Sequence, residues 1–295
     1  MITVKDLTKS YGDNQVLKGL SFSIKNNEIF GLLGPNGAGK TTTLECMEGL
    51  RVYDKGQVRI KDLSPDQALK KGVLGVQLQN SSLPGHMKVK DLLTLHCYWQ
   101  KKAFQDALFS SFGLEKLYMQ SYKNLSTGQK RTCHLALSLI ADPDIIFLDE
   151  PTAGLDVEAR HQLHQKILAL KDQGKTIILS SHDMAEVQSL CDRVAILLKG
   201  EIHAIESPEV ICKEDSFTNT LSIKFREEPN SFTLQGATHI SKRGDYYKVQ
   251  VSNLHKSLED LLAWANKQGL TIEDLAIDKP SLEERFLTLA REAKQ

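Results

Sequence analysis

Between an apolar run, Ile29 to Leu33, and a helical pattern that begins at Lys40, the chain carries Gly34-Pro35-Asn36-Gly37-Ala38-Gly39-Lys40-Thr41, with Thr42 next in line. This matches G-x-x-x-x-G-K-[ST] in full, with a strand pattern before it and a helix pattern after it. Glycines let such a loop fold into a nest whose backbone N–H groups converge on phosphate oxygens. The helix N-terminus adds a partial positive charge aimed at the same place. Lys40 is expected to reach the β- and γ-phosphates of a nucleotide, and the Thr41 hydroxyl to ligate Mg²⁺.

A second segment fits the first. Ile145-Ile146-Phe147-Leu148-Asp149-Glu150 reads as a buried strand ending in two carboxylates. Alone, an Asp-Glu pair would be read as solvated loop acids. Beside a phosphate loop, Asp149 is expected to hold Mg²⁺, through water. Glu150 would then stand at the carboxyl edge of the sheet, where ligands of open α/β sheets sit. A carboxylate there could polarise an attacking water, a role worth about 10²- to 10⁴-fold in rate. These two segments define a P-loop NTPase and no more.

The pattern around them is an alternation of strand and helix over residues 1 to 214, which implies a parallel sheet with crossover helices and hence an α/β core. Strands are expected at Ile2 to Leu7, Val16 to Ile24, Glu28 to Leu33, Gly72 to Leu78, Asp144 to Asp149, Thr176 to Ser180 and Arg193 to Leu198. Helices are expected from Lys40 to Gly49, from Ser64-Pro65 to Lys71, over most of residues 89 to 125, and at Gly128 to Ile140, Val157 to Gln173 and Met184 to Leu190. From Asp215 the pattern changes. Alternating stretches such as Thr220 to Phe225 and Tyr246 to Val251 precede an amphipathic helix from Leu254 to Gln268, and a last helix is expected at Ser281, whose spacing to Glu284 forms a capping box. Residues 215–295 are therefore expected to be a small α+β domain.

Composition closes off several classes. Lysine plus arginine equal aspartate plus glutamate at 37 each, so nothing advertises nucleic acid, which usually shows as a basic excess. The longest apolar runs are strand-sized, far below the roughly 20 residues a membrane-spanning helix needs. Met1-Ile2-Thr3-Val4-Lys5 enters a strand pattern without a secretory signal. Five cysteines form no C-x-x-C pair, which suits a reducing cytosol and buried small hydrophobes better than a disulfide framework or a zinc site.

Further motifs narrow the class. Leu125-Ser126-Thr127-Gly128-Gln129, on its own an ordinary helix cap, resembles the LSGGQ signature of ABC ATPases and lies between the phosphate loop and the Asp-Glu strand. Gln79 matches that family's Q-loop, Ala153-Gly154-Leu155-Asp156 its D-loop, His182 in Ser180-Ser181-His182-Asp183 its H-loop, and Tyr11 the aromatic that stacks on adenine. Alone, a histidine or tyrosine would be read as structural; here the motifs stand in the family's order from residue 11 to residue 182. The resemblance is to the nucleotide-binding subunits of ABC transporters and covers roughly residues 1 to 214.

The resemblance implies a P-loop NTPase ABC ATPase domain, a mixed sheet core with a helical subdomain. It implies a homodimer or heterodimer in which the signature of one subunit, through Ser126, Gly128 and Gln129, covers the γ-phosphate of ATP held by the phosphate loop of the other. It also implies that Asp156 takes part in nucleotide binding, that His182 contacts the γ-phosphate, and that Gln79 senses metal and water while its loop touches an integral membrane permease subunit. The expected location is the cytoplasmic face of the cell membrane, held through that permease.

Two departures stand out: Thr127 replaces the usual third-position glycine, as in related exporters, and the helical stretch from Asp91 to Asn124 is several residues shorter than typical. The tail Pro280-Ser281-Leu282-Glu283-Glu284-Arg285-Phe286-Leu287 resembles that of bacterial ATPases serving drug, antibiotic and polysaccharide-type exporters. A non-transport ABC ATPase acting on ribosomes, DNA or cofactor assembly is the alternative. The single phosphate loop, and the absence of a coiled-coil or zinc insertion, weigh against it. A non-enzymatic ATP-binding protein would need Lys40, Asp149, Glu150 or His182 to be missing.

Overall fold

The computed structural model describes residues 1–78, 83–213, 219–229, 231–278 and, in the last stretch, 282, 283, 285, 286 and 289. The chain divides into two compact units, Met1–Pro208 and Glu209–Gln295. No helix of the described residues is long and apolar enough to cross a membrane.

In the first unit the elements run β1 (Ile2–Tyr11), β2 (Asn14–Ile24), β3 (Ile29–Leu33), α1 (Lys40–Glu48), β4 (Lys55–Ile60), α2 (Pro65–Lys70), β5 (Leu74–Gln77), α3 (Val89–Trp99), α4 (Asp106–Ser111), α5 (Thr127–Ser138), β6 (Ile145–Asp149), α6 (Val157–Asp172), β7 (Thr176–Ser181), α7 (Met184–Leu190), β8 (Arg193–Leu198) and β9 (Glu201–Glu206). Short 3₁₀ turns at Leu114–Leu117 and Tyr122–Asn124 complete the helical stretch. The expected alternation holds, with one physical difference. Strands β1, β2 and β4 do not enter the parallel sheet but pair antiparallel with one another in the order β2-β1-β4. Their alternating burial explains why: each has one face to cover and one to leave in water.

The other sheet runs β5-β6-β7-β3-β8-β9, parallel except for β9. Strands β3, β6 and β7 are buried along their whole length, which the continuous apolar runs already demand. Helix α1 packs between the two sheets. Leu44, Cys46 and Met47 sit at 0–1% exposure in one cluster with Val4, Leu20 and Ile24 of the antiparallel sheet and Leu32 and Leu197 of the parallel one. Burying each such side chain stabilises the fold by about 1.5–3 kcal/mol. The core therefore grips the helix that must present the phosphate loop.

Helix α1 stops at Glu48, where Gly49 takes a left-handed conformation (φ 78°) and returns its N–H to Glu45 O. Helix α2 opens on the capping box of Ser64 and Gln67. All five cysteines are buried, and none is in a disulfide.

In the second unit, α8 (Pro208–Lys213) leads into β10 (Asn219–Phe225), β11 (Ala237–Arg243), β12 (Tyr246–Val251), α9 (Leu254–Gln268) and β13 (Ile272–Asp278). The strands form an antiparallel sheet in the order β11-β12-β10-β13. Leu221, Ile223, Val249 and Val251 meet Leu261 and Ala265 of α9 in its core. Ser281 and Glu284, the expected last capping box, lie outside the described residues.

Candidate active site

Strand order builds the site. Because β6, β7 and β3 are parallel neighbours, their carboxyl ends open on one edge, with Leu33 opposite Ser181 and Asp149 opposite Ser180. The phosphate loop, more than a hundred residues earlier in sequence, is thus brought to the same edge as the Asp149-Glu150 pair and the Ser180–Asp183 turn.

The loop after β3 is shaped by its glycines. A Cβ on Gly34 would come within 2.3 Å of Leu197 O, so only glycine fits against β8. Gly37 and Gly39 take φ of 81° and 105°, a region side chains avoid. Pro35, Asn36 and Gly37 are exposed, while Ala38, Gly39 and Lys40 are buried. Thr41 is exposed and Thr42 half-buried in the first turn of α1.

The Lys40 ammonium, 6% exposed, donates to Gly34 O at 2.9 Å and Pro35 O at 3.3 Å and lies 3.9 Å from Glu150 Oε1. Burial pulls its pKa below the usual lysine value, and the charges of Glu150 and Asp149 oppose that pull. A buried ammonium can make strong charge-assisted hydrogen bonds to phosphate oxygens.

Asp149 is 3% exposed at the end of β6 and accepts a short hydrogen bond from the Ser180 hydroxyl. The same hydroxyl accepts from the Glu150 N–H at 3.1 Å. Glu150 needs that support, because its φ of 46° is costly for a non-glycine residue. Its side chain, 12% exposed, places Oε1 3.1 Å from Nδ1 of His182, which is itself half exposed.

The donor set fits Mg²⁺. Among the described residues no group of three or more His, Cys, Asp or Glu is placed to hold a metal alone. A hydroxyl (Thr41) and a carboxylate (Asp149) beside a phosphate loop are the hard-oxygen partners magnesium uses when phosphates complete its shell. Gln79, the remaining expected metal and water contact, lies outside the described residues.

The signature is built differently. Ser126 caps α5, accepting from Gln129 N at 3.2 Å while Gln129 Oε1 accepts from Ser126 N at 2.9 Å. A Cβ on Gly128 would lie 2.9 Å from Ala159 Cβ, so this glycine lets α5 approach α6. Ser126, Gly128 and Gln129 line a cavity of about 660 Å³ with Ala159, Gln162 and Lys166, none of them from the phosphate loop. Asp156 is occupied as the N-cap of α6, accepting from Ala159 N at 2.8 Å. Tyr11 ends β1 at 43% exposure, its ring centroid 5.2 Å from the Arg51 guanidinium carbon.

Sequence reasoning did not assign roles to Ser180, Arg51, Thr152 or Glu186. Ser180 stood inside the quoted Ser180–Asp183 segment, but its partners become visible only once β6 and β7 are paired.

A family profile described as "ABC transporter" matches residues 17–153. An uncharacterized ABC transporter ATP-binding protein of Methanocaldococcus jannaschii is 38% identical over 94% of this chain and 98% of its own length. The linearmycin resistance ATP-binding protein LnrL of Bacillus subtilis is 29% identical over 98% of both chains, and the Nod factor export ATP-binding protein I of Burkholderia orbicola 36% identical over 75% of this chain and 76% of its own. Among solved structures, the dimeric post-hydrolysis state of an ATP-binding cassette bound to ADP and Pi aligns with a TM-score of 0.62 at 25% identity, covering 70% of this chain and 98% of that one. Similarity that extends over nearly the whole of both chains leaves one conclusion: this chain belongs to the ATP-binding proteins of ABC transporters, and it is an ATPase of that family.

Proposed function

We propose that this ATPase powers export through a separate membrane-embedded subunit, with ATP held between the phosphate loop of one copy and the Ser126–Gln129 signature of a second ABC subunit. The observation that carries the reading is the meeting of Lys40, Asp149, Glu150 and His182 at one sheet edge, with Glu150 and His182 3.1 Å apart. In this reading the Gly34–Thr42 loop and Lys40 grip the phosphates, and Tyr11 stacks on the base. Glu150 takes the proton of the attacking water, while His182 orients it and contacts the γ-phosphate. Thr41 and Asp149 would hold Mg²⁺, which supplies charge neutralisation on the phosphate oxygens when bound. Helix α5, begun by Ser126, brings its N-terminal N–H groups and partial positive charge to a γ-phosphate on the facing copy, so closure and hydrolysis are linked.

The names of the relatives, one for linearmycin resistance and several for Nod factor export, support outward transport over action on a soluble assembly. The test is to purify the protein from the membranes of its source cell and identify what co-elutes. An integral membrane protein whose removal abolishes cargo-stimulated ATP hydrolysis is the expected result. Full activity and assembly with no membrane protein would overturn the export reading.

A further inference from the structure

Glu186 on α7 is a carboxylate only 3% exposed. Its Oε1 accepts from Thr152 Oγ1 at 2.6 Å and faces His164 Nε2 at 3.3 Å; its Oε2 accepts from Ser181 Oγ at 2.5 Å. A buried carboxylate costs heavily unless donors surround it, and here they come from three separate elements. Thr152 stands two residues after Glu150, in a turn closed by Ala153 N to Glu150 O at 3.3 Å and Leu155 N to Thr152 O at 3.1 Å. Ser181 immediately precedes His182, and its hydroxyl also accepts from Asp183 N at 3.0 Å.

A cavity of about 90 Å³ lies among Glu150, Thr152, Arg160, Ser181, His182 and Glu186. The two loops are therefore not pressed together by apolar packing there, and the carboxylate spans them as a polar strut.

We infer that Glu186 is a positioning residue for hydrolysis: by holding Thr152 with one oxygen and Ser181 with the other, it sets the separation of Glu150 from His182. The inference rests on the roles proposed for Glu150 and His182. Any movement of the turn after β6 is passed through Glu186 to the histidine, so the pair closes or opens as a unit. A leucine of similar size would fill the space without fixing either hydroxyl.

The experiment compares Glu186→Gln with Thr152→Val and with the double variant, measuring kcat, KM for ATP and nucleotide affinity. Glu186→Gln should lower kcat about tenfold or more while KM and ATP affinity stay within about twofold, the signature of a loss felt in the chemical step. Thr152→Val should lower kcat severalfold, and the double variant should be no slower than Glu186→Gln alone, since both cut one connection. A Glu186→Gln protein with wild-type kcat, a loss confined to KM, or additive effects would overturn the inference. Should Glu186→Gln not fold, Thr152→Val decides alone: unchanged kcat overturns it. Normal turnover by Glu150→Gln would instead defeat the underlying reading of the site, so the two failures are separable.

Discussion

Nδ1 of His182 lies 3.1 Å from Oε1 of Glu150, across the carboxyl ends of β7 and β6. Glu150 sits at a positive φ that a non-glycine residue does not favour, and His182 follows a strand whose side chains are all buried. What holds them is hydrogen bonding around them.

Ser180 is the nearest piece of it. Its hydroxyl gives a hydrogen bond to Asp149 and takes one from Glu150 N. Ser180→Ala removes the hydroxyl that a buried carboxylate and the Glu150 N–H both use. It should cost about 1–3 kcal/mol of stability and lower kcat about tenfold. Urea denaturation and steady-state hydrolysis measure the two effects; kcat equal to wild type would contradict the assignment.

Gly128 is tested by size alone. Gly128→Ala gains up to about 1 kcal/mol of helix propensity. It also sets a methyl 2.9 Å from Ala159 Cβ, a clash that overpacking data put at about 1–3 kcal/mol. A net destabilisation is expected on denaturant unfolding, together with slower hydrolysis because α5 carries the signature. A more stable variant would show that α5 and α6 are not in close contact.

Glu48, in the last turn of α1, is 1% exposed, and neither of its oxygens has a hydrogen-bond partner. Burial, followed by the charges of Asp149 and Glu45, pushes its carboxyl up to about 8. The folded chain thus keeps a proton that the unfolded chain releases near the usual 4.5. This contribution to stability is fully present below that value and is lost as pH rises through about 8. Glu48→Gln, neutral at every pH, should raise the melting temperature at high pH by about 2–4 °C per kcal/mol recovered and leave it nearly unchanged at pH near 5. Equal shifts at both pH values would contradict the account.

Much of the candidate site is legible in the sequence, and the reason is local. The phosphate loop needs its glycines and its lysine at fixed spacing, and β3 and β6 are apolar throughout because both faces are covered. Strands β4 (Lys55–Ile60) and β13 (Ile272–Asp278) carried no such mark. Both are mostly exposed and rich in charge, and they are strands because β1 and β10 offer them partners.

Ser180 and Glu186 were illegible as functional residues for a related reason. Their partners, Asp149 and Thr152, lie some thirty residues away and meet them only through sheet register and the packing of α7. Glu186 reads in sequence as an ordinary helix-surface acid. The antiparallel pairing of β1, β2 and β4 likewise followed from half-buried patterns that alternation of strand and helix alone does not distinguish.

In the proposed reaction Glu150 takes the proton of the water that attacks ATP held between two ABC subunits. The most direct measurement of that role is the hydrolysis rate and the mass in solution of Glu150→Gln in magnesium and ATP. The account predicts retained ATP binding, turnover reduced by about 10²-fold or more, and a shift to a closed dimer that wild type reaches only transiently. A variant that hydrolyses ATP at the wild-type rate, or that binds ATP and stays monomeric, would contradict it.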